Sequence, residues 1–313
     1  MEVHTHIQLP ISIYAQHYDP TRTTGLRTAF AKDMGRRFNE LIAVVRKTVA
    51  VNDALGIAPI THQMQAAVPH AFDFPRSADK VQAFMDWLNQ QIDRGILQVS
   101  EIQQIGGAVE TAWTNKYIQD SYKRGVIRAR YELKKAGFNV PTIEASGGIA
   151  LSMSTPFHLD RVGLLYTRTF SGLKGITTAM DTQISRILAQ GIADGDNPIL
   201  LARKMRAVMD GTAMGDLSIT DSLGRFIPAK RRAEMLARTE IIRAHAEAQL
   251  QEYQNWRAEG VHLKAEWMTA GDNRVCQRCA DLQGSVFTIE EASGMLPLHP
   301  DCRCAWLPYR ETT

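Results

Sequence analysis

The sequence predicts a mainly α-helical fold: an elongated helical body that ends in a small α+β module stapled by cysteine and histidine. Three observations predict it. Apolar residues recur every three or four positions through most of the chain, which places them on one face of a helix. Alternation with a period of two is confined to short pieces such as VHLKAEWMT and SVFTI, both near the end. All four cysteines lie between Cys276 and Cys304, so the first 275 residues contain none. That distribution implies one local site, because a disulfide framework would spread its cysteines along the chain.

The elements follow in order. Residues 1–20 mix aromatic, polar and proline residues without a period, and are expected to form an arm that a partner surface orders. From Leu26 the residues Phe30, Met34, Phe38, Leu41, Val45 and Val49 keep the helical spacing, with Lys32, Arg36, Arg46 and Lys47 gathered on the other side of the wheel. Those cations suit either a solvated face or a surface for nucleic acid or an acidic partner. Pro69 and Pro75 interrupt any helix, after which Ser77 is placed to cap one carrying Val81, Phe84, Leu88 and Ile92 inward. Gly106 and Gly107 break the next segment. The stretch YKRGVIRARYELKKAGF then reads as a helix ending at Gly137, and residues 116–135 hold seven Lys or Arg against two acidic residues. Lys123, Arg124 and Arg128 make it the second candidate for phosphate contact.

Residues 141–156 are small, Gly/Ser-rich and bounded by proline, which suits a linker. A helical amino-terminal domain is therefore expected over 21–140 and a second domain over 157–309, with the Cys/His module at 263–309. Within the second domain 162–188 reads as helix despite Gly172 and Gly175, Asn197 and Pro198 signal the start of another helix, and 229–257 reads as a long helix closed by Gly260.

Composition excludes several classes. Lys and Arg number 36 against 33 Asp and Glu, for a formal charge of +3, too little to mark a nucleic-acid binder by itself. No stretch approaches the roughly 20 apolar residues of a membrane span, and the start has no basic flank before an apolar core. A cytoplasmic, reducing site of synthesis is expected, where clustered thiols serve more often as metal ligands than as disulfides.

The chemistry is concentrated in DNRVCQRCADLQG and HPDCRC. Cys276 and Cys279 are separated by two residues, and His299, Cys302 and Cys304 follow after nineteen more. Two turns each offering soft donors can close a zinc tetrahedron from Cys276, Cys279, His299 and either Cys302 or Cys304. Disulfides in an oxidising environment, or plain thiols beside a packed turn, are the alternatives. An HNH-like nuclease stapled by zinc also begins with such spacing. It needs further histidines for water and a catalytic metal, and only His245 and His262 are near in sequence.

Arg238, Thr239 and Glu240 in the long helix, the step from Trp267 to Asp272, Arg274, Cys276, Cys279, Gly284 and the closing His299-Pro300-x-Cys302-Arg303-Cys304 together resemble the C-terminal domain of phage Mu F-like head morphogenesis proteins. The resemblance covers about residues 229–309, and more loosely everything from residue 157. DPTRTTGLR and FPRSADKVQAFMDWL resemble minor head proteins of tailed phages more weakly. What it implies is a minor capsid protein made in the host cytoplasm and carried into the virion, without catalysis and without a small-molecule substrate. Its implied partners are the portal protein, capsid or scaffolding proteins and, in some relatives, double-stranded DNA. A stand-alone DNA-binding protein is the other alternative. Arg238 and Glu240 stand two apart and so diverge on one helix; they are expected to lock the long helix onto the module. Asp272 is expected to turn the chain before Cys276, and Gly284 to allow the reversal into SVFTI.

Overall fold

The computed structural model describes residues 19–58, 71–104, 107–211 and 226–310. All but the last two residues of the expected arm lie outside that set. The chain is mainly α-helical, with a two-stranded and a three-stranded sheet among the described residues. None of the described helices is long and apolar enough to cross a membrane.

Packing groups the chain into two compact units, each discontinuous in sequence. The first joins Met1–Thr28, Lys116–Leu165 and Arg238–Thr313; the second joins Ala29–Asn115 and Tyr166–Ala237. Every point at which the chain changes unit falls within a helix: α1 (Thr24–Arg46), α3 (Asn115–Lys135), α5 (Pro156–Ala193) and α7 (Ala229–Ala258). Residues 141–156 hold turns and a short α4 (Ile149–Met153) inside the first unit.

In the second unit, α1 buries Phe30, Met34, Phe38, Leu41 and Val45 as its period requires, and a π-helical turn (Lys47–Val51) prolongs it with Val49 inward. Helix α2 (Ser77–Gly95) buries Phe84, Leu88 and Ile92, while Val81 is half-buried. Its N-cap is Arg76, without a side-chain cap, so the expected Ser77 cap is instead the first helical residue. The glycine-marked break after α2 proves to be a hairpin. Strand β1 (Val99–Gln104) pairs antiparallel with β2 (Gly107–Ala112), from Val99 opposite Ala112 to Gln104 opposite Gly107. Helix α5 runs through Gly172, where a Cβ would come within 3.1 Å of the Leu236 side chain. Helix α6 (Pro198–Asp210) has the expected start: Asn197 Oδ1 accepts from Leu200 N–H at 2.9 Å, and the helix stops at Gly211 with φ +83.

The first unit begins with a small knot before α1. The Asp19 carboxylate accepts from the Thr21 and Thr23 amides and from Arg27, whose Nη2 lies at 2.7 Å. Helix α3 lies close against α7. Ser121 Oγ donates to Ile241 O at 2.6 Å, and a Cβ on Gly125 would meet His245 O at 2.5 Å. Only glycine permits that approach. Beyond Gly260, β3 (Leu263–Met268) lies between β4 (Val286–Phe287) and β5 (Ala305–Arg310), antiparallel to both. Leu263, Ala265 and Trp267 point inward from β3, and Trp267 meets Trp306, its partner in register, edge-on at 5.3 Å. The side-chain amide of Gln249 on α7 bonds both the N–H and the C=O of Trp306, at 3.2 and 2.8 Å. The sheet therefore shares one core with Ala129 and Leu133 of α3 and with Leu250 and Tyr253 of α7, and Cys279, Cys302 and Cys304 are part of it.

Candidate metal centre

Two short turns bring the soft donors together. Cys276 precedes α8 (Gln277–Asp281) as its N-cap residue, and its carbonyl accepts from the amides of Cys279 and Ala280 at 3.1 and 3.0 Å. This tight turn aims both thiols the same way. The second turn follows α9 (Ile289–Ala292), which Thr288 and Glu291 close with a reciprocal capping box. There Cys302 N–H donates to His299 O at 3.2 Å, and Asp301 takes φ +61, a left-handed conformation that aspartate tolerates better than most residues.

His299 Nε2 lies 3.4 Å from Cys276 Sγ and 3.3 Å from Cys279 Sγ, and Cys279 Sγ lies 4.0 Å from Cys302 Sγ. Zinc bond lengths in a tetrahedron place sulfur about 3.5 Å from nitrogen and about 3.8 Å from another sulfur, so these spacings fit one ion. The donors form two triads that share Cys279: Cys276, Cys279 and His299, then Cys279, Cys302 and Cys304. Such a cluster can hold a metal ion. His299 Nδ1 sits 2.7 Å from Pro300 O, a bond that requires the proton on Nδ1 and leaves the Nε2 lone pair for the cluster. All four cysteines are free thiols.

The thiols do not behave alike. Cys302 is pushed down to about 5, foremost by a hydrogen bond from Cys304 and, against burial, by backbone contacts at Cys304 and Leu298. Burial, and then the neighbouring Cys302 charge, push Cys279 up to about 12. Cys304 also rises, first because it holds its proton to donate to Cys302. The pocket thus accommodates one thiolate readily, and a central cation is what would allow more.

Ion pairs fasten the turns. Asp272, on the loop that leads to Cys276, is gripped by Arg303 through two 2.6 Å bonds, and Arg274 adds a third contact. Arg303, then Arg274, hold its carboxyl well below the usual range. Since Arg303 sits between Cys302 and Cys304, this fork ties one ligand turn to the other. Arg238 on α7 donates to Asp301 at 2.6 Å, and Asp301 N–H donates to Thr239 Oγ1 at 3.0 Å. Glu240 meets Arg243, one turn along its own helix, at 3.3 Å. Trp267 is fully buried, and Gly284 has φ +76 with its N–H on Trp267 O, two residues before β4.

The expected cationic surfaces are mixed. Lys32, Arg46, Lys47, Lys123 and Arg124 are exposed. Arg36 is bound to Asp33 and Glu40, both at 2.6 Å, and Arg128 pairs with Glu132 beneath Tyr131. Arg130, from the same basic stretch, turns inward. It pairs with buried Glu252 at 3.0 Å, while His158 joins Glu252 to Tyr122 at 3.2 and 2.8 Å. This network floors a cleft of about 670 Å³ walled by Leu151, Phe157 and Trp256. Burial opposes ionisation of Glu252, yet bonds from His158 and Arg130 outweigh it and hold the carboxyl below its ordinary value. The sequence carried one signal for the network: Arg130 continues the inward series Ile118, Tyr122 and Val126 at four-residue steps. His245 is fully buried where α7 crosses α3, away from solvent, and burial lowers it to about 4.

No curated protein and no solved structure matches the chain. Residues 182–307, from within α5 through α7 to β5 and including every cysteine, match the family model described as Phage Mu protein F like protein, so the similarity lies in that segment of the chain.

Proposed function

We propose that this protein is a minor capsid protein of phage head morphogenesis, which binds the portal and neighbouring capsid proteins during procapsid assembly in the host cytoplasm and stays in the virion. The observation that carries the reading is the family match, which spans both α7 and the Cys/His module. Its action is binding. The donors of the module face one another and Arg238 ties the module to α7, an arrangement suited to a structural clip.

Zinc is the ion proposed, since thiolate and imidazole suit a borderline-soft cation and the spacings fit its tetrahedron. Cys276, Cys279, His299 and Cys302 are assigned as ligands, with Cys304 as hydrogen-bond donor to Cys302. Contact with packaged DNA is assigned to the exposed Lys123 and Arg124 of α3. Co-purification from procapsids is the test: the chain should be recovered with portal protein, and its absence from intact, portal-bearing procapsids would overturn the assignment. Metal analysis of reduced, unchelated protein should find one zinc per chain.

A further inference from the structure

In the second unit a groove of about 150 Å³ runs between α6 and the stretch formed by the last turns of α1 and the π turn. Among the described residues, Ile42, Val45 and Met209 form its apolar floor and no acidic side chain lines it. Arg46 borders it from one helix, Arg203 and Arg206 from the other. Arg206 is bound to Asp210 at 3.0 Å, whereas neither Arg46 nor Arg203 has an ion-pair partner among the described residues. The first turn of α6 has no acidic residue, and the carboxylate just before its cap, Asp196, is engaged by Lys204. Ile199, also on the groove, is 70% exposed, and Val51, next to the lining residue Ala50, is 68% exposed.

We propose that this groove docks an acidic amphipathic helix of a partner protein. The observation is an apolar channel between two helices whose rims both carry arginine. A third helix laid there buries an apolar stripe on the exposed Ile199 and Val51, over the floor formed by Ile42 and Val45, and carboxylates flanking that stripe meet Arg46 on one side and Arg203 on the other. Duplex DNA fits less well, because it meets a protein chiefly through phosphates and would leave Ile199 and the apolar floor without a partner. The groove is independent of the Cys/His module and of the portal assignment, and either can fail without the other.

A fluorescein-labelled synthetic helix with leucines at the a and d heptad positions and glutamates flanking them serves as the probe, read by anisotropy against the full chain. Wild-type protein should bind it, less tightly as salt rises, and should not bind the same peptide with lysines for glutamates. Arg46→Glu with Arg203→Glu, and separately Ile199→Asp, should each weaken binding roughly tenfold or more while circular dichroism stays unchanged. Lys123→Glu with Arg124→Glu should leave it unaltered. Absence of binding, binding insensitive to the groove variants, or displacement of the peptide by duplex DNA through those same arginines would overturn the proposal.

Discussion

Among the five soft donors of the module, Cys304 stands apart: Cys276 and Cys279 direct their sulfur atoms at His299 and Cys279 also reaches Cys302, while Cys304 only closes the buried triad with Cys279 and Cys302. A serine at Cys304 keeps a donor, so Cys304→Ser should retain one zinc per chain, whereas Cys279→Ser and Cys302→Ser should lose it, as metal analysis of reduced protein would read. Arg303 acts one step further out. Its two bonds to Asp272 need the planar guanidinium fork, which lysine lacks. Arg303→Lys should therefore weaken zinc about 10- to 100-fold in competition with a chelator, the range seen when groups that orient ligands are altered. The clustering of Cys276, Cys279, His299, Cys302 and Cys304 was legible in their spacing, but not which of Cys302 and Cys304 would complete a set of four. The Asp272–Arg303 fork was not, because it joins residues 31 apart and no local period records such a pairing.

At the scale of elements, the crossing of α3 and α7 has a built-in response to acid. Among the described residues neither ring nitrogen of His245 has a hydrogen-bond partner, and the nearby Gln249 amide is engaged by Trp306. An unfolded chain protonates this imidazole near about 6.5, while burial holds it to about 4 in the fold. Between those values the unfolded chain binds the proton and the folded chain does not. The stabilisation is complete above the upper value and drains away as pH falls toward the lower one, by about 2 kcal/mol between pH 7 and pH 5. Urea titrations at both pH values should show that loss in the wild type and a smaller one in His245→Leu. The long helices were legible because their apolar residues repeat over many turns, and Asn197-Pro198 announced α6 correctly. The β1–β2 hairpin was missed because two glycines read alike as a break or a reversal, and the flanking VSEIQQ and GAVETA lack the sustained apolar alternation that marks strands.

At the scale of the molecule, the first unit gathers three separate stretches of chain around one core that includes three of the cysteines. Composition could not reveal that grouping, since it reports local flexibility and the units are assembled by packing. Ala129 and Leu133 of α3 share the module's core without contributing a ligand. Chelating the proposed zinc should therefore speed hydrogen exchange in α3 as well as in residues 263–310, and leave α2 and α6 unaltered; mass-spectrometric exchange resolves these segments. The Gln249 amide has a consequence for crowded assemblies. Strand β5 is the outermost of its sheet, and an outer strand with free backbone groups is a template onto which another chain can add. Gln249 satisfies both groups of Trp306 as an adjoining strand would, so the sheet cannot accrete neighbours at that position, and fibre-like stacking of copies is blocked there however high their concentration.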